Sequence, residues 1–154
     1  MTAVVAVCEN GGIGKDGALL FHIREDLRRF RQLTLGKTVV MGRKTLESLP
    51  GGRGLPDRRN LVLTRDPGLS APGAEVLRRL EDVPEDAVVI GGVRVYRQLL
   101  PSCGTVYVTK IFASPQADAF FPDLSRDSGW TEAERSEMYT SGGVRFQYVT
   151  YRRR

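Results

Sequence analysis

Continuous runs of aliphatic residues alternate along the chain with segments of helical periodicity. The aliphatic runs predict strands at 3–8, 37–41, 60–63, 87–90 and 105–111. Most of these runs carry no polar alternation, which is typical of strands covered on both faces of a sheet. Two later runs, at 131–138 and 144–151, flank the segment Tyr-Thr-Ser-Gly-Gly and predict a terminal antiparallel hairpin.

Helices are predicted in the gaps between the early strands. Ile23, Leu27, Phe30 and Thr34 recur at helical spacing, so the arginines between them, including Arg29, are expected on the outer face. Segments 43–49 and 93–100 each follow a glycine turn and predict two further helices. Strands that feed helices through tight turns indicate a doubly wound, mostly parallel α/β sheet with an antiparallel C-terminal strand.

Composition restricts the class of protein. A chain of 154 residues, 41% hydrophobic and 27% charged, fits one globular domain over 1–154. No apolar run approaches the roughly 20 residues that span a bilayer, and the N-terminus lacks the basic start of a signal peptide. Two cysteines and one histidine form no disulfide or zinc pattern. We therefore expect a cytoplasmic protein with no membrane partner and no metal.

The net charge of +5 favours anionic partners, either nucleic acid or small polyanions. Binding of nucleic acid needs basic residues gathered on one face. Here the basic residues are interspersed with acids, except for the arginines at 152–154, which we expect to form a solvated tail. No nucleic-acid partner is predicted.

Two segments, 39–45 and 88–94, each combine a buried strand, a glycine turn and the start of a helix. The N-terminus of a helix can hold a phosphate, and glycine lets the backbone approach it. Taken alone, either turn is more simply interpreted as a tight connection, because neither is a dinucleotide fingerprint or a P-loop. As a pair they could bracket a pyrophosphate. Four nearby residues could hold a further phosphate or could simply be solvated: Arg43, Lys44, Thr64 and Arg65.

Asp26 lies at the edge of the apolar helix face, one turn from Ile23 and from Phe30. An acid in a first helical turn complements the helix dipole without any further role. Alternatively, the carboxylate lies in an apolar cleft and bonds a ligand, since an unpartnered carboxylate is costly to bury. The residue pattern leaves both interpretations open.

Seven segments occur in an order and spacing that resemble one family across nearly the whole chain. They are Asn-Gly-Gly-Ile-Gly-Lys at 10–15, Glu-Asp-Leu with Phe at 25–30, Val-Met-Gly-Arg-Lys-Thr-Leu-Glu-Ser-Leu at 40–49, Leu-Pro-Asp-Arg-Arg-Asn at 55–60, Ile-Gly-Gly with Val-Tyr at 90–96, Val-Tyr-Val-Thr-Lys-Ile at 106–111 and Phe-Phe-Pro-Asp at 120–123. The family is dihydrofolate reductase.

The resemblance implies an eight-stranded, mostly parallel sheet with four helices. It also implies an NADPH-dependent enzyme that reduces 7,8-dihydrofolate to 5,6,7,8-tetrahydrofolate by hydride transfer to the pterin ring. Such an enzyme supports one-carbon metabolism and thymidylate synthesis and is a target of antifolates. Its expected partners are dihydrofolate and NADPH, and we expect a monomer.

The resemblance also assigns residues. Asp26 matches the acid that binds the pterin, Thr109 matches its hydrogen-bond partner, and Arg58 matches the arginine that binds the glutamate α-carboxylate. Gly91 and Gly92 match a cis turn. The expected substrate pocket is completed by Val4, Val5, Leu27, Phe30, Leu49 and Ile90. The expected cofactor contacts are Ala6, Ile13, Gly14, Leu19, Gly42, Arg43, Lys44, Thr45, Leu63, Thr64, Arg65, Gly91, Gly92, Val93, Arg94, Val95 and Tyr96.

The chain also departs from the family pattern. Leu19-Leu20-Phe21 replaces a common hydrophobic-Pro-Trp sequence, so Phe21 lacks the indole N–H that holds a water. Arg24 replaces a frequent proline, and Val93 replaces a third glycine. Two alternatives remain: a riboflavin-pathway reductase of the same fold, and a non-catalytic, basic nucleotide- or nucleic-acid-binding module. The set of Asp26, Thr109 and Arg58 favours the folate enzyme.

Overall fold

The computed structural model describes residues 1–66 and 68–154, and its centre is one large sheet. The sheet contains β1 (Thr2–Cys8), β3 (Thr38–Gly42), β4 (Arg59–Leu63), β5 (Glu75–Leu77), β6 (Val88–Gly91), β7 (Thr105–Ile111), β9 (Trp130–Arg135), β10 (Tyr139–Ser141) and β11 (Val144–Arg153). A separate antiparallel pair is formed by β2 (Gly12–Gly14) and β8 (Ala119–Phe120).

The strand order is β10-β11-β7-β1-β6-β3-β4-β5, and β9 pairs with the same edge of β11 as β10 does. Counting β9 and β10 as one interrupted edge strand gives the expected eight-stranded sheet. The pairings from β7 through to β5 are parallel, and β11 is antiparallel to β7. The predicted mostly parallel sheet with an antiparallel C-terminal strand is therefore confirmed, and the five early strands lie within one residue of their predicted bounds.

The terminal hairpin differs from the prediction of one continuous strand at 131–138. β9 ends at Arg135, and Tyr139–Ser141 pair with β11 instead of belonging to the turn. The break occurs at Ser136, whose hydroxyl accepts from the Tyr148 N–H and whose carbonyl accepts from the Gln147 side chain. The turn itself is Gly142–Gly143, where φ is 56° and 80°, a conformation that favours glycine.

The described ranges contain three α-helices: α1 (Arg24–Thr34), α2 (Arg43–Ser48) and α3 (Val93–Leu99). They match the three helices predicted from periodicity, whereas the resemblance implied four. A short 3-10 turn at Leu80–Asp82 stands before β6, in the region where the chain reads Val-Pro at 83–84. Proline disfavours helical backbone at the residue before it, which limits this segment to one turn. No helix in the described ranges is long and apolar enough to cross a membrane.

The core follows the continuous aliphatic runs. Val39, Val40, Met41, Leu61 and Val62 in β3 and β4 are 0% exposed. Burying one such side chain stabilises the fold by about 1.5–3 kcal/mol. The centre of the sheet that carries the site is therefore fully packed.

The arginines at 152–154 are exposed, as predicted for a solvated tail, but Arg153 and Arg154 also bond to the fold. The Arg153 guanidinium lies 4.3 Å from the Trp130 ring centroid. It donates to the carbonyls of Leu100 at 2.7 Å and Cys103 at 2.9 Å, and Arg154 donates to the Trp130 carbonyl. The Leu100 carbonyl also accepts from the Cys103 N–H in the short 3-10 turn after α3, so Arg153 adds a second donor to it.

Candidate active site

Helix α1 places Asp26 against strand β7. The Thr109 hydroxyl donates to a carboxylate oxygen of Asp26, with 2.5 Å between the two oxygens. Thr109 is buried and Asp26 is half-buried, while the neighbouring Glu25 is exposed as expected. Because this bond joins residues 83 positions apart, the carboxylate faces strand β7 and is not merely a first-turn acid.

The pKa of Asp26 is raised above its ordinary value. Burial is the largest cause, because it disfavours the ionised carboxylate. The Thr109 hydrogen bond and the positive charge of Arg29 act in the opposite direction and only partly offset burial. A carboxylate in such an environment exchanges its proton closer to neutral pH than a solvated one, which is a property of acid–base groups at active sites.

Arg29 does not lie on the outer helix face, so this prediction was wrong. The residue is half-buried, and its guanidinium carbon lies 4.2 Å from the ring centroid of Tyr148. It is three positions after Asp26 in α1, so the two side chains share one side of the helix. The periodicity gave no signal for this placement, because the aromatic partners come from distant strands.

Three of the predicted substrate-pocket residues lie in one apolar cluster. Val4, Leu49 and Ile90 pack partly buried against one apolar cluster with Met41 and Leu46. Phe30 is half-buried, and Leu27 is 44% exposed next to Asp26, so it is free to contact a flat apolar ligand. Val5 is buried in the main core, since consecutive strand residues face opposite sides.

Arg58 is held in a fixed orientation beside α1. It donates to the Thr34 hydroxyl at 3.0 Å and to the Pro56 carbonyl at 2.9 Å. Thr34 is 0% exposed and itself donates to the Phe30 carbonyl. Burial and the nearby charge of Arg31 lower the pKa of Arg58, which still leaves it fully protonated near neutral pH.

The loop that carries Arg58 is braced by Asn60. The Asn60 amide donates to the carbonyls of Leu55 and Arg58 and accepts from the Leu55 N–H, all at 2.9 Å. Sequence analysis assigned no role to Thr34 or Asn60; the available signal was a polar residue in each of two otherwise apolar patterns. A cavity of about 480 Å³ adjoins the same loop and is lined by Pro50, Arg53, Gly54, Leu55, Pro56 and Gly73.

The two glycine turns lie side by side, as the pairing of strand ends required. β3 and β6 are neighbours, and Met41 pairs with Gly91. The Gly91–Gly92 peptide bond is cis, as the resemblance implied, and φ of Gly91 is 128°. A Cβ at Gly91 would meet the Thr45 hydroxyl at 3.3 Å, so the backbone and Thr45 form one continuous surface.

Some predicted cofactor residues are too buried to offer a side chain. Val95 is 4% exposed. Its side chain packs so close to Gly42 that a Cβ added at Gly42 would lie 3.2 Å from the Val95 Cγ2 atom. Tyr96 is 5% exposed, and its hydroxyl donates to the Val4 carbonyl at 2.6 Å. These two could act only through their backbone or by supporting the turn. Val93 is half-buried and Arg94 is exposed, at the open start of α3.

The predicted phosphate site gathers cations at the carboxyl edge of neighbouring strands. Arg43 and Lys44 follow β3, while Thr64 and Arg65 follow Leu63 at the end of β4, and the three cations are exposed. Their charge and position fit a phosphate of NADPH. Asp66, which sequence analysis did not consider, lies 3.8 Å from the Arg43 guanidinium. A bound phosphate would have to compete with this carboxylate.

The remaining predicted contacts lie beside β2. Ile13 and Ala6 are half-buried, Gly14 is buried, and Leu19 is 51% exposed on the following loop. The loop is fastened at its far side, where the Asp16 N–H donates to the Asp118 carboxylate at 2.9 Å. The divergent residues Leu20 and Phe21 pack against the apolar cluster that contains Ile23 and Phe146.

A mostly parallel sheet with two glycine turns and several cations at its carboxyl edge, and one half-buried, hydrogen-bonded acid beside it, is typical of a nucleotide-binding α/β enzyme. Comparison with known proteins narrows this class. A family model described as dihydrofolate reductase matches residues 1–153. The chain therefore belongs to the dihydrofolate reductase family, and it reduces 7,8-dihydrofolate with NADPH.

Individual relatives agree with the family model. The dihydrofolate reductase of Neisseria gonorrhoeae is 42% identical over 98% of this chain and 96% of the relative. That of Bacillus subtilis is 34% identical over 98% and 93%. A solved structure, the dihydrofolate reductase of Enterococcus faecalis complexed with NADP(H) and RAB-propyl, is 35% identical with a TM-score of 0.88. It covers 99% of this chain, which itself covers 95% of that one. The folate enzyme is thus favoured over the riboflavin-pathway reductase.

Proposed function

We propose that Asp26 is the essential carboxylate of dihydrofolate reduction in this protein, with Thr109 as its orienting partner. In this role Asp26 anchors the amino group and ring nitrogen of the pterin and raises the basicity of the nitrogen that gains the proton. A water delivers that proton. The observation that supports the proposal best is the 2.5 Å hydrogen bond from Thr109, which fixes a half-buried carboxylate between α1 and β7.

The other residues position the reactants and exclude water. NADPH, when bound, supplies the hydride. Leu27 and Phe30 on α1 and Leu49 beyond α2 present apolar surface to the pterin and benzoyl groups. Thr45 and the Gly91–Gly92 backbone form a continuous surface that would hold the nicotinamide side of NADPH against the pterin. Leu19 lies on the loop that covers the nicotinamide side.

Arg58 is proposed to bind the α-carboxylate of the substrate's glutamate. Its Nε and one terminal nitrogen are already occupied by Pro56 and Thr34, which fixes the plane of the guanidinium. The second terminal nitrogen and the unused N–H of the first remain to pair with a carboxylate. Arginine suits this task because its planar fork matches two oxygens at once.

Arg43, Thr64 and Arg65 are proposed to hold the 2′-phosphate of NADPH, which gives the preference over NADH. We further propose a monomeric, cytoplasmic enzyme that supports one-carbon metabolism and thymidylate synthesis, is inhibited by antifolates and binds no nucleic acid. A reducing compartment suits the two buried free thiols, and burial raises the pKa of Cys103 to about 11.

The proposal is tested by Asp26→Asn, with Glu25→Gln as the matched control on the exposed neighbour. Asparagine keeps the size of the side chain and removes its charge. Single-turnover hydride transfer should slow by about 10²–10⁴-fold, the range of a positioned acid–base group, while NADPH binding stays unchanged. The defect should shrink at low pH, where substrate protonated in solution no longer needs the carboxylate. Unchanged single-turnover rates at neutral pH would overturn the assignment.

Stability provides a second measurement of the same variant. The pKa of Asp26 is raised in the folded state, so the native protein binds this proton more tightly than the unfolded chain. The ionised carboxylate therefore costs stability above the folded-state pKa, and this cost disappears below the unfolded-state pKa. Asp26→Asn should thus be at least as stable as the parent in urea at neutral pH, with no such advantage in acid.

A further inference from the structure

Arg29 occupies an unusual position for a helix arginine. It is half-buried between α1 and the sheet, with its guanidinium carbon 4.2 Å from the Tyr148 ring centroid and 6.0 Å from that of Tyr107. A cation over an aromatic face is attracted by the ring, more strongly where water is partly excluded. Two rings from two strands therefore hold one guanidinium in place.

The two tyrosines that contact Arg29 lie on the same face of the sheet as Thr109, whose hydroxyl bonds to Asp26. Tyr107 and Thr109 are two residues apart in β7, so their side chains project from one face of the sheet. Tyr148 in β11 is the direct cross-strand partner of Thr109. Asp26 and Arg29 lie one helical turn apart above this face. The acid and the cation are thus positioned by one shared surface.

The charges around Asp26 are few and can be named. Arg29 lowers the pKa of Asp26, although burial, which raises it, is the larger effect. Tyr148 on β11 has a raised pKa, first because of burial and then because of the Asp26 charge, which places these two groups close together. Glu25 on α1, Tyr139 on β10 and Tyr107 on β7 complete the titratable groups around this pair.

Arg29 forms no salt bridge in the part of the chain that the structure describes. Its charge is therefore not neutralised by an ion pair, and it acts on the nearby Asp26 carboxylate. In contrast, Arg43 on α2 is shared between two acids. A structural cation on a helix would normally be solvated or paired.

We propose that Arg29 is a positioning residue for dihydrofolate reduction: caged by Tyr107 and Tyr148, it acts through Asp26 and sets the pH at which the site takes up the reaction's proton. This inference rests on the proposed role of Asp26. A fixed positive charge opposes the arrival of a proton nearby, whether the proton is on the carboxylate or on the bound pterin. Arg29 thereby keeps the Asp26 carboxylate ionised and able to bind the pterin.

The consequence is a measurable shift in the pH–rate profile. Removing the charge with Arg29→Gln should move the midpoint of single-turnover hydride transfer to higher pH. At pH values above the parent's midpoint, the rate should therefore rise by about 3- to 10-fold. A direct ion pair would give a larger change, about 10-fold or more, but Arg29 and Asp26 do not form one.

Three variants separate charge from packing: Arg29→Gln, Arg29→Lys and Arg28→Gln. Arg29→Lys keeps the charge in the cage and should restore the parent's midpoint, whereas Arg28→Gln removes an exposed charge one residue away on the same helix and should leave the midpoint in place. An unmoved midpoint in Arg29→Gln would overturn the proposal. So would an equal shift in Arg29→Lys, because the guanidinium would then act only by packing.

Asp26→Asn measured in parallel distinguishes the two proposals. If Asp26→Asn is slow and Arg29→Gln has the parent's midpoint, only the inference about Arg29 fails. If Asp26→Asn keeps the parent's rates, the proposed function fails and the inference fails with it. The carboxyl stretch of Asp26 in the free enzyme, followed by infrared difference spectroscopy against Asp26→Asn, provides a readout that needs no turnover. It should titrate at higher pH in Arg29→Gln than in the parent.

Discussion

Replacing Thr109 with valine tests whether the hydrogen bond to Asp26 organises the site. Valine matches the shape of threonine and removes only the hydroxyl, so the buried position keeps its packing. The lost bond is 2.5 Å long and runs to a carboxylate. A hydrogen bond to a charged group contributes about 1.5–3 kcal/mol. Only an interaction that is stronger in the transition state than in the bound ground state changes the rate. At about 1.4 kcal/mol per tenfold, the single-turnover rate should therefore fall by up to about 150-fold, and the full loss is expected where the bond is made fully only in the transition state.

The pH dependence of stability should identify the bond as charge-assisted. Thr109 lowers the pKa of Asp26, so it stabilises the ionised form in the folded protein. This contribution is present above the pKa of Asp26 and declines as pH falls through it. Urea denaturation of Thr109→Val should therefore show a loss of about 1.5–3 kcal/mol at neutral pH. In acid the loss should shrink to about 0.5–1.5 kcal/mol, the range for a neutral pair.

Thr105→Val is the matched control, because it makes the same change on the same face of β7, away from Asp26. It should leave the single-turnover rate unchanged. Equal loss of stability for Thr109→Val in acid and at neutral pH would refute the reasoning, since the hydroxyl would then contribute only as a neutral buried group. A parent-like rate despite full loss of stability would show that Thr109 acts on the fold alone.

Three further changes test the remaining assignments. Replacing both Arg43 and Arg65 with alanine should raise the NADPH Michaelis constant at least ~10-fold, about 1.4 kcal/mol, and affect NADH much less; equal losses would remove the 2′-phosphate assignment. Arg58→Lys should weaken dihydrofolate but not a dihydropterin without the benzoylglutamate, because lysine lacks the bidentate fork; a loss with both substrates would assign Arg58 to the fold. Arg153→Ala should lower the free energy of unfolding in urea by about 1–3 kcal/mol, because it removes two hydrogen bonds to carbonyls and the Trp130 contact, whereas Arg152→Ala should change it very little. Equal losses in the two variants would show that the Arg153 contacts do not stabilise the fold.

The parts of the fold that follow from local pattern were predictable. The buried aliphatic runs gave five strands to within one residue, because a continuous apolar run can be satisfied only in the interior of a sheet. The terminal hairpin was less predictable. Its interruption depends on Ser136 bonding across to Tyr148, and its true turn lies at Gly142–Gly143. Short strands such as β5 have no periodicity of their own and form only because a neighbour offers an open edge.

Site residues were predictable where the local sequence pattern or the resemblance marks them, and less so where their role depends on contacts between distant segments. Asp26 could be named from its place on an apolar face and from the resemblance, whereas its Thr109 partner could be named only from the resemblance, because no local pattern shows how α1 crosses β7. Asn60 looked like the polar start of a strand, yet its amide braces the loop that carries Arg58. Asp66 sits among the predicted phosphate contacts, and only the coordinates reveal it beside Arg43.

Arginines supply most of the positive charge behind the net charge of +5. They look alike in the sequence, but the structure gives them different surroundings. Arg43 and Arg65 are exposed and can exchange partners, so they suit a cofactor that must leave after each turnover. Arg58 is fixed by Thr34 and Pro56, so it loses less entropy when it binds a carboxylate. Arg29 is caged by two rings and can act on Asp26 without competing for the substrate. Burial and anchoring, rather than charge alone, therefore determine which arginines can bind, which can orient and which can tune the acid.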